Sequence, residues 1–157
     1  MGNWFDSLPD EIMNTIIKLK IQLPDKVIEY DFRPDVAPDY DQLESQLEDT
    51  PQQFTFWSVV FAEQKARVAI LERELLMAKS RAERMVSQEM RKHDVKLGRP
   101  EINAMIELHD AVHKTSCQVI EEEKKLSKLK AIVEAIKMKN DNVRSLAGFK
   151  REERKES

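Results

Sequence analysis

The stretch Gln52 to His93, QQFTFWSVVFAEQKARVAILERELLMAKSRAERMVSQEMRKH, contains neither glycine nor proline. Without that punctuation it reads as one uninterrupted helix. Within it Trp57, Phe61, Gln64, Val68, Leu71, Leu75, Ala78, Ala82 and Met85 recur in alternating steps of four and three, the seam of a left-handed coiled coil. Thr50-Pro51-Gln52-Gln53 reads as its start: Thr50 accepts from free amides, Pro51 suits the first helical position, and Gln53 reaches back as a capping box. The preceding Asp39 to Asp49 reads as a separate, brief acidic helix.

Beyond Asp94, Lys96-Leu97-Gly98-Arg99-Pro100 supplies a glycine stop and a proline restart, so a bend and a short helix from Pro100 to about Leu108 are expected. From about Asp110 the chain is helical again. There Leu126, Leu129, Val133, Ile136, Asn140, Val143 and Ala147 carry the same spacing, with Asn140 as a polar register-setter. The two seams are suited to pair antiparallel. The expected fold is therefore all-α: a long antiparallel helical hairpin of coiled-coil type, preceded by a short amphipathic helix. A helix of some 40 residues spans roughly 60 Å, and a lone pair that long leaves apolar surface wet, so assembly into a homo-oligomer is expected. Trp57, Phe61, Val68, Leu71, Leu75, Leu129, Val133 and Ile136 are its expected contacts, and the all-round apolar run Phe54 to Phe61 marks the meeting point.

Two regions follow: an acidic arm over residues 1–38 and the helical region over residues 39–157. In the arm Ser7 caps a helix with Asp10 at its third position, and Ile12, Ile16, Ile17 and Leu19 form an apolar stripe to about Gln22. Three prolines between Leu23 and Pro38 then impose an extended connector, and strands have little room anywhere.

The composition, with 35% charged and 6% aromatic residues, suits elongated helices better than an enzyme's compact core. The single cysteine, Cys117, cannot pair internally and fits a reducing compartment. No basic-then-apolar leader and no 18-residue apolar run occurs, so a cytoplasmic protein without membrane contact is expected. No phosphate loop, nucleophile elbow or His-Glu-x-x-His motif occurs, so neither catalysis nor a cofactor is expected. His109, His113 and Cys117 stand at i, i+4 and i+8, but such a row spreads its ends over about 12 Å at 1.5 Å per residue, too far to close on one metal ion.

The net charge of −3 hides a division: residues 1–50 hold 12 acidic and 4 basic side chains, whereas residues 51–157 hold 17 and 22. Eleven basic residues fall between Lys124 and Ser157 and outnumber the acidic ones there. Lys130, Lys137, Arg144 and Arg151 recur every seven residues beside the second seam, a ridge able to track phosphates if the helix is continuous. Lys139 and Lys150 add to it. Phe149 alone in this region offers a ring for base stacking, so backbone contacts would dominate and binding would be sequence-tolerant and salt-sensitive. Salt bridging to the first helix is the plain alternative; its Lys65, Arg67, Glu72, Glu74, Lys79 and Arg81 are too mixed in sign to neutralise every base.

From about residue 40 to 153 the order of a short acidic helix, a tryptophan opening a long helix, a bend, and a final helix closing on KNDNVRSLAGFKRE (Lys139 to Glu152) resembles the UvsY-like recombination mediators of tailed phages. The resemblance implies a homo-oligomer that binds single-stranded DNA and helps a recombinase displace the single-strand-binding protein, catalysing no reaction. It places DNA binding in the basic C-terminal region and, in a phage-encoded protein, the action in host cytoplasm. The other reading is a coiled-coil structural or adaptor protein whose lysines keep it soluble.

Overall fold

A computed structural model describes residues 18–22, 27–31, 33–36 and 41–156. The expected Ser7 cap and the stripe through Ile12, Ile16 and Ile17 lie outside these residues. The elements, in chain order, are β1 (Lys18–Gln22), β2 (Val27–Asp31), α1 (Arg33–Val36), α2 (Leu43–Lys92), α3 (Arg99–Leu108) and α4 (Asp110–Glu156). The chain is thus overwhelmingly helical, as an all-α reading requires. The arm departs from expectation. Lys18–Gln22 is a strand, not the end of a helix, and pairs antiparallel with Val27–Asp31 in the register Lys18 to Asp31 and Gln22 to Val27. The run Val27-Ile28-Glu29-Tyr30 is rich in β-branched and aromatic residues, and the extended connector meets a partner segment with which to form a ladder.

The acidic segment and the long helix are one element. Helix α2 runs through Pro51 without a break, so Thr50 and Pro51 are not its start. Thr50 is fully buried and its Oγ1 donates to the Gln46 carbonyl at 2.6 Å, the back-bond of a threonine inside a helix. Packing of this segment outweighs the hydrogen bond that proline withholds.

The chain divides into two compact units: residues 1–61 with 128–157, and residues 62–127. In the first, Trp57 and Val60 of α2 pack with Leu129, Ile132 and Ile136 of α4, and Val36, Phe54, Phe61 and Val133 close around them. Asp35 of α1 accepts a 2.8 Å hydrogen bond from the Trp57 indole, tying the arm to this core. In the second unit Ala82 and Val86 of α2, Ile106 of α3 and Val112 of α4 form the core, flanked by Leu75, Ala78, Met90 and Ile102. At the end of α2 the register differs by one position from expectation: Met85 is exposed and Val86 is buried. Steps of four from Ala82 through Val86 keep the apolar stripe of a straight helix facing α3.

The bend follows α2 through a Schellman arrangement. The Val95 amide donates to the Met90 carbonyl at 3.0 Å, and Asp94 adopts the left-handed conformation at φ 48°. Aspartate tolerates this region through its short polar side chain. Gly98, with φ −72°, is therefore not the stop; it precedes α3, where its amide donates to the Glu101 carboxylate and its carbonyl accepts from Ile102 at 3.1 Å. The expected restart at Pro100 and the final helix from Asp110 are both present.

Candidate nucleic-acid interface

Helix α4 is continuous from Asp110 to Glu156, which meets the condition for a ridge of cations at seven-residue spacing. Lys130, Lys137, Arg144, Lys150 and Arg151 are all exposed, and all belong to the first unit. Successive ridge positions rise about 10.5 Å, close to the screening length of about 10 Å at 0.1 M salt, so a polyanion would feel them together only at modest ionic strength. Lys130 lies 4.0 Å from Glu134, one turn on, with both side chains about two-thirds exposed; such a pair holds little and yields readily. Among the described residues Lys137, Arg144, Lys150 and Arg151 form no ion pair.

Lys139 does not join them. It is only 3% exposed, and its ammonium donates to the Asp35 backbone carbonyl at 3.0 Å and to Gln53 Oε1 at 3.2 Å. A cation committed to buried acceptors cannot reach phosphate, so Lys139 is a structural residue of the arm's docking site. Its place was encoded in spacing: Ile132, Ile136, Lys139 and Val143 share one helical face. The acceptors Asp35 and Gln53 carried no such signal, since Asp35 sits in an irregular acidic segment.

The expected oligomer contacts are corrected in the same way. Trp57, Leu129 and Ile136 are buried in the first unit's own core, with Phe61 and Val133 packed against it. Val68 is buried too, Leu71 is half-buried, and Leu75 packs on the second unit's core. Trp57, Val68, Leu129 and Ile136 are thus taken up by their own chain, whereas Phe61, Leu71, Leu75 and Val133 stay half-buried.

At its C-terminal end the basic surface borders a cleft of about 370 Å³ between the start of α2 and the end of α4. Lys150, Arg151 and Arg154 line one side and Asp41, Glu44 and Ser45 the other. The carboxylates temper the local potential at that end. Phe149, 65% exposed on the same helix, remains available for stacking.

The second unit carries a polar contact within its seam. Gln64 donates from Nε2 to both the Glu122 carbonyl (3.0 Å) and Oε2 (2.7 Å), and Lys125 donates to Glu122 Oε1 at 2.6 Å. Burial alone would raise the Glu122 pKa, but donation from Gln64 and Lys125 and the charges of Lys125 and Arg67 together outweigh it and hold the group below its ordinary value. His113 Nε2 lies 3.9 Å from Cys117 Sγ, an exposed contact, while His109 occupies the α3–α4 junction with its Nδ1 buried. Among the described residues no three His, Cys, Asp or Glu side chains converge as metal ligands, and no helix is long and apolar enough to cross a membrane. No family model, no curated protein and no protein of solved structure matches the chain.

Proposed function

We propose that this chain is a non-catalytic recombination mediator that self-associates, holds single-stranded DNA by its phosphates along the exposed face of α4, and helps a recombinase replace the single-strand-binding protein. The observation that carries the reading is the set of exposed cations at Lys137, Arg144, Lys150 and Arg151, free of ion pairs among the described residues, on one continuous helix. The resemblance of residues 40–153 to UvsY-like mediators supports the biological setting. A long antiparallel coiled-coil hairpin is part of the same reading, supported by buried positions on α2 and α4 at three-four spacing in each unit.

The test is an anisotropy titration of labelled single-stranded and duplex oligonucleotides across salt concentrations. Each phosphate contact on a single strand contributes about −0.7 to the slope of log K against log salt, so neutralising Lys130, Lys137, Arg144 and Arg151 to glutamine should flatten the slope by up to about 2.8 if all four contact phosphate. Truncation ahead of Arg33 should spare DNA binding and impair recombinase loading, because the acidic arm is the expected partner surface. Absence of single-strand binding at low salt would overturn the reading and leave the coiled-coil adaptor.

A further inference from the structure

The interior of the second unit uses Gln64, Val68, Leu71, Leu75, Ala78 and Ala82 of α2. On the opposite side of that helix Ala66, Ile70, Arg73 and Met77 follow steps of four, three and four, and all are exposed. Ile70 is 60% exposed, Met77 49%, and the flanking Leu76 65%. Scattered surface apolar residues need no explanation, but these sit at coiled-coil spacing along one line, bounded by Arg67 and Glu74 on one flank and by Ala69 and Leu76 on the other. It is a second seam, facing away from the first.

We propose that this outer face of α2 docks a second copy of the same chain, antiparallel about a two-fold axis beside residues 71 and 72, with Arg67 of each copy against Glu74 of the other. Charge and size both select that pairing. In an antiparallel coiled coil equivalent flanking positions face each other, and in this register Arg67 meets Glu74 twice by symmetry. Met77 then lies over Ala66 of the other copy and Leu76 over Ala69, so each large side chain meets a small one, while the aliphatic stem of Arg73 covers Ile70. A shift of one heptad in one direction sets Arg67 against Arg81 and Glu74 against itself; in the other it sets Arg67 against itself. Parallel pairing sets Ala69 against Glu74 and Leu76 against Arg81 and forms no ion pair. Neither Arg67 nor Glu74 forms an ion pair among the described residues, although Arg67 is half-buried and its charge acts on Glu122 of its own chain.

The face supplies the self-association that the mediator reading invokes and rests on that reading only for its purpose. So few heptads bury an area at the low end of specific interfaces, and a dimer of micromolar affinity is the expected outcome. Sedimentation equilibrium of the full chain without DNA provides the test. Because the Arg67 charge also acts on Glu122 within its own chain, the disruptive variant is Glu74→Arg, which places like charges at both symmetric contacts and should weaken the dimer at least about tenfold. Independently, in Cys117→Ser chains, an Ala66→Cys copy mixed with a Met77→Cys copy should form a disulfide-linked heterodimer faster than either copy links to itself. A chain that stays monomeric at about 200 µM, far above a micromolar dissociation constant, would overturn the proposal. So would a Glu74→Arg variant that dimerises as well as the parent, or no preference in cross-linking. Loss of DNA binding alone would overturn the mediator reading and leave the dimer standing.

Discussion

Replacing Lys139 by methionine separates the two roles this residue has been assigned. The ammonium donates to the Asp35 carbonyl and to Gln53 Oε1 from a site 3% exposed. A hydrogen bond from a charged donor contributes about 1.5–3 kcal/mol, and a buried acceptor left without a donor costs about 1–3 kcal/mol. Gln53 is half-buried and recovers solvent, so the Asp35 carbonyl carries most of the loss; methionine fills similar volume and removes the cost of burying a charge. The net expectation is about 2 kcal/mol of weaker arm docking. Trp57 reports it directly, because its indole donates to Asp35 and its side chain is fully covered. In a Trp4→Phe background Trp57 is the sole tryptophan. Its emission should shift to the red in Lys139→Met, and its urea midpoint should fall by about 1 M at a slope near 2 kcal/mol/M. The salt slope of DNA binding should not change. An unshifted midpoint together with a slope flattened by about 0.7 would refute the reasoning and return Lys139 to the phosphate-binding face.

Pro51→Ala should stabilise the protein, by about 1 kcal/mol or more toward the 3 kcal/mol cost of an interior proline, because it restores a helical amide; thermal unfolding of a chain in which Pro51 opens the helix would show no gain. Ala82→Leu should destabilise by about 1–3 kcal/mol in urea titration, since Ala82 is fully enclosed by Val86, Ile106 and Val112 and extra volume forces the cluster apart. The Glu122 pKa is held below 4.5 in the folded chain, so its contribution to stability is full above the unfolded value and is lost as pH falls through the folded one. Acid titration of Glu122→Gln should therefore show a flatter loss of stability below about pH 4.5 than the parent; parallel curves would remove Glu122 from the account.

The helices were legible because their evidence is repetitive. An apolar residue every three or four positions over many turns identifies α2 and α4 whatever they pack against, and Gly98-Arg99-Pro100 marks the restart of α3. What failed to show in sequence depends on partners distant along the chain. Thr50-Pro51 has all the local features of a helix start, yet burial of Thr50 carries α2 through it. The strand Lys18–Gln22 carries an amphipathic pattern readable as helix, and only its ladder with Val27–Asp31 decides otherwise. Asp94 rather than Gly98 takes the left-handed turn because the Schellman bonds, not residue preference alone, fix where α2 ends.

The charged surface follows the same logic with a sharper consequence. Counting lysines and arginines between Lys124 and Ser157 treats them alike, but position relative to the seam sorts them: Lys137 and Arg144 stay exposed while Lys139, on the face of Ile136 and Val143, is drawn inward to meet the arm. The apolar residues sort by the same rule in reverse. Those on the strong seam are used within the chain, and the weaker line of Ile70 and Met77, with few apolar members in a polar sequence, is the one left exposed. Strength of pattern thus marks intrachain cores, and the surface proposed for another copy is carried by the fainter repeat. A face that must be soluble when alone and sticky only at micromolar concentration is constrained to be short, interrupted by Arg73 and dependent on paired charges for its register.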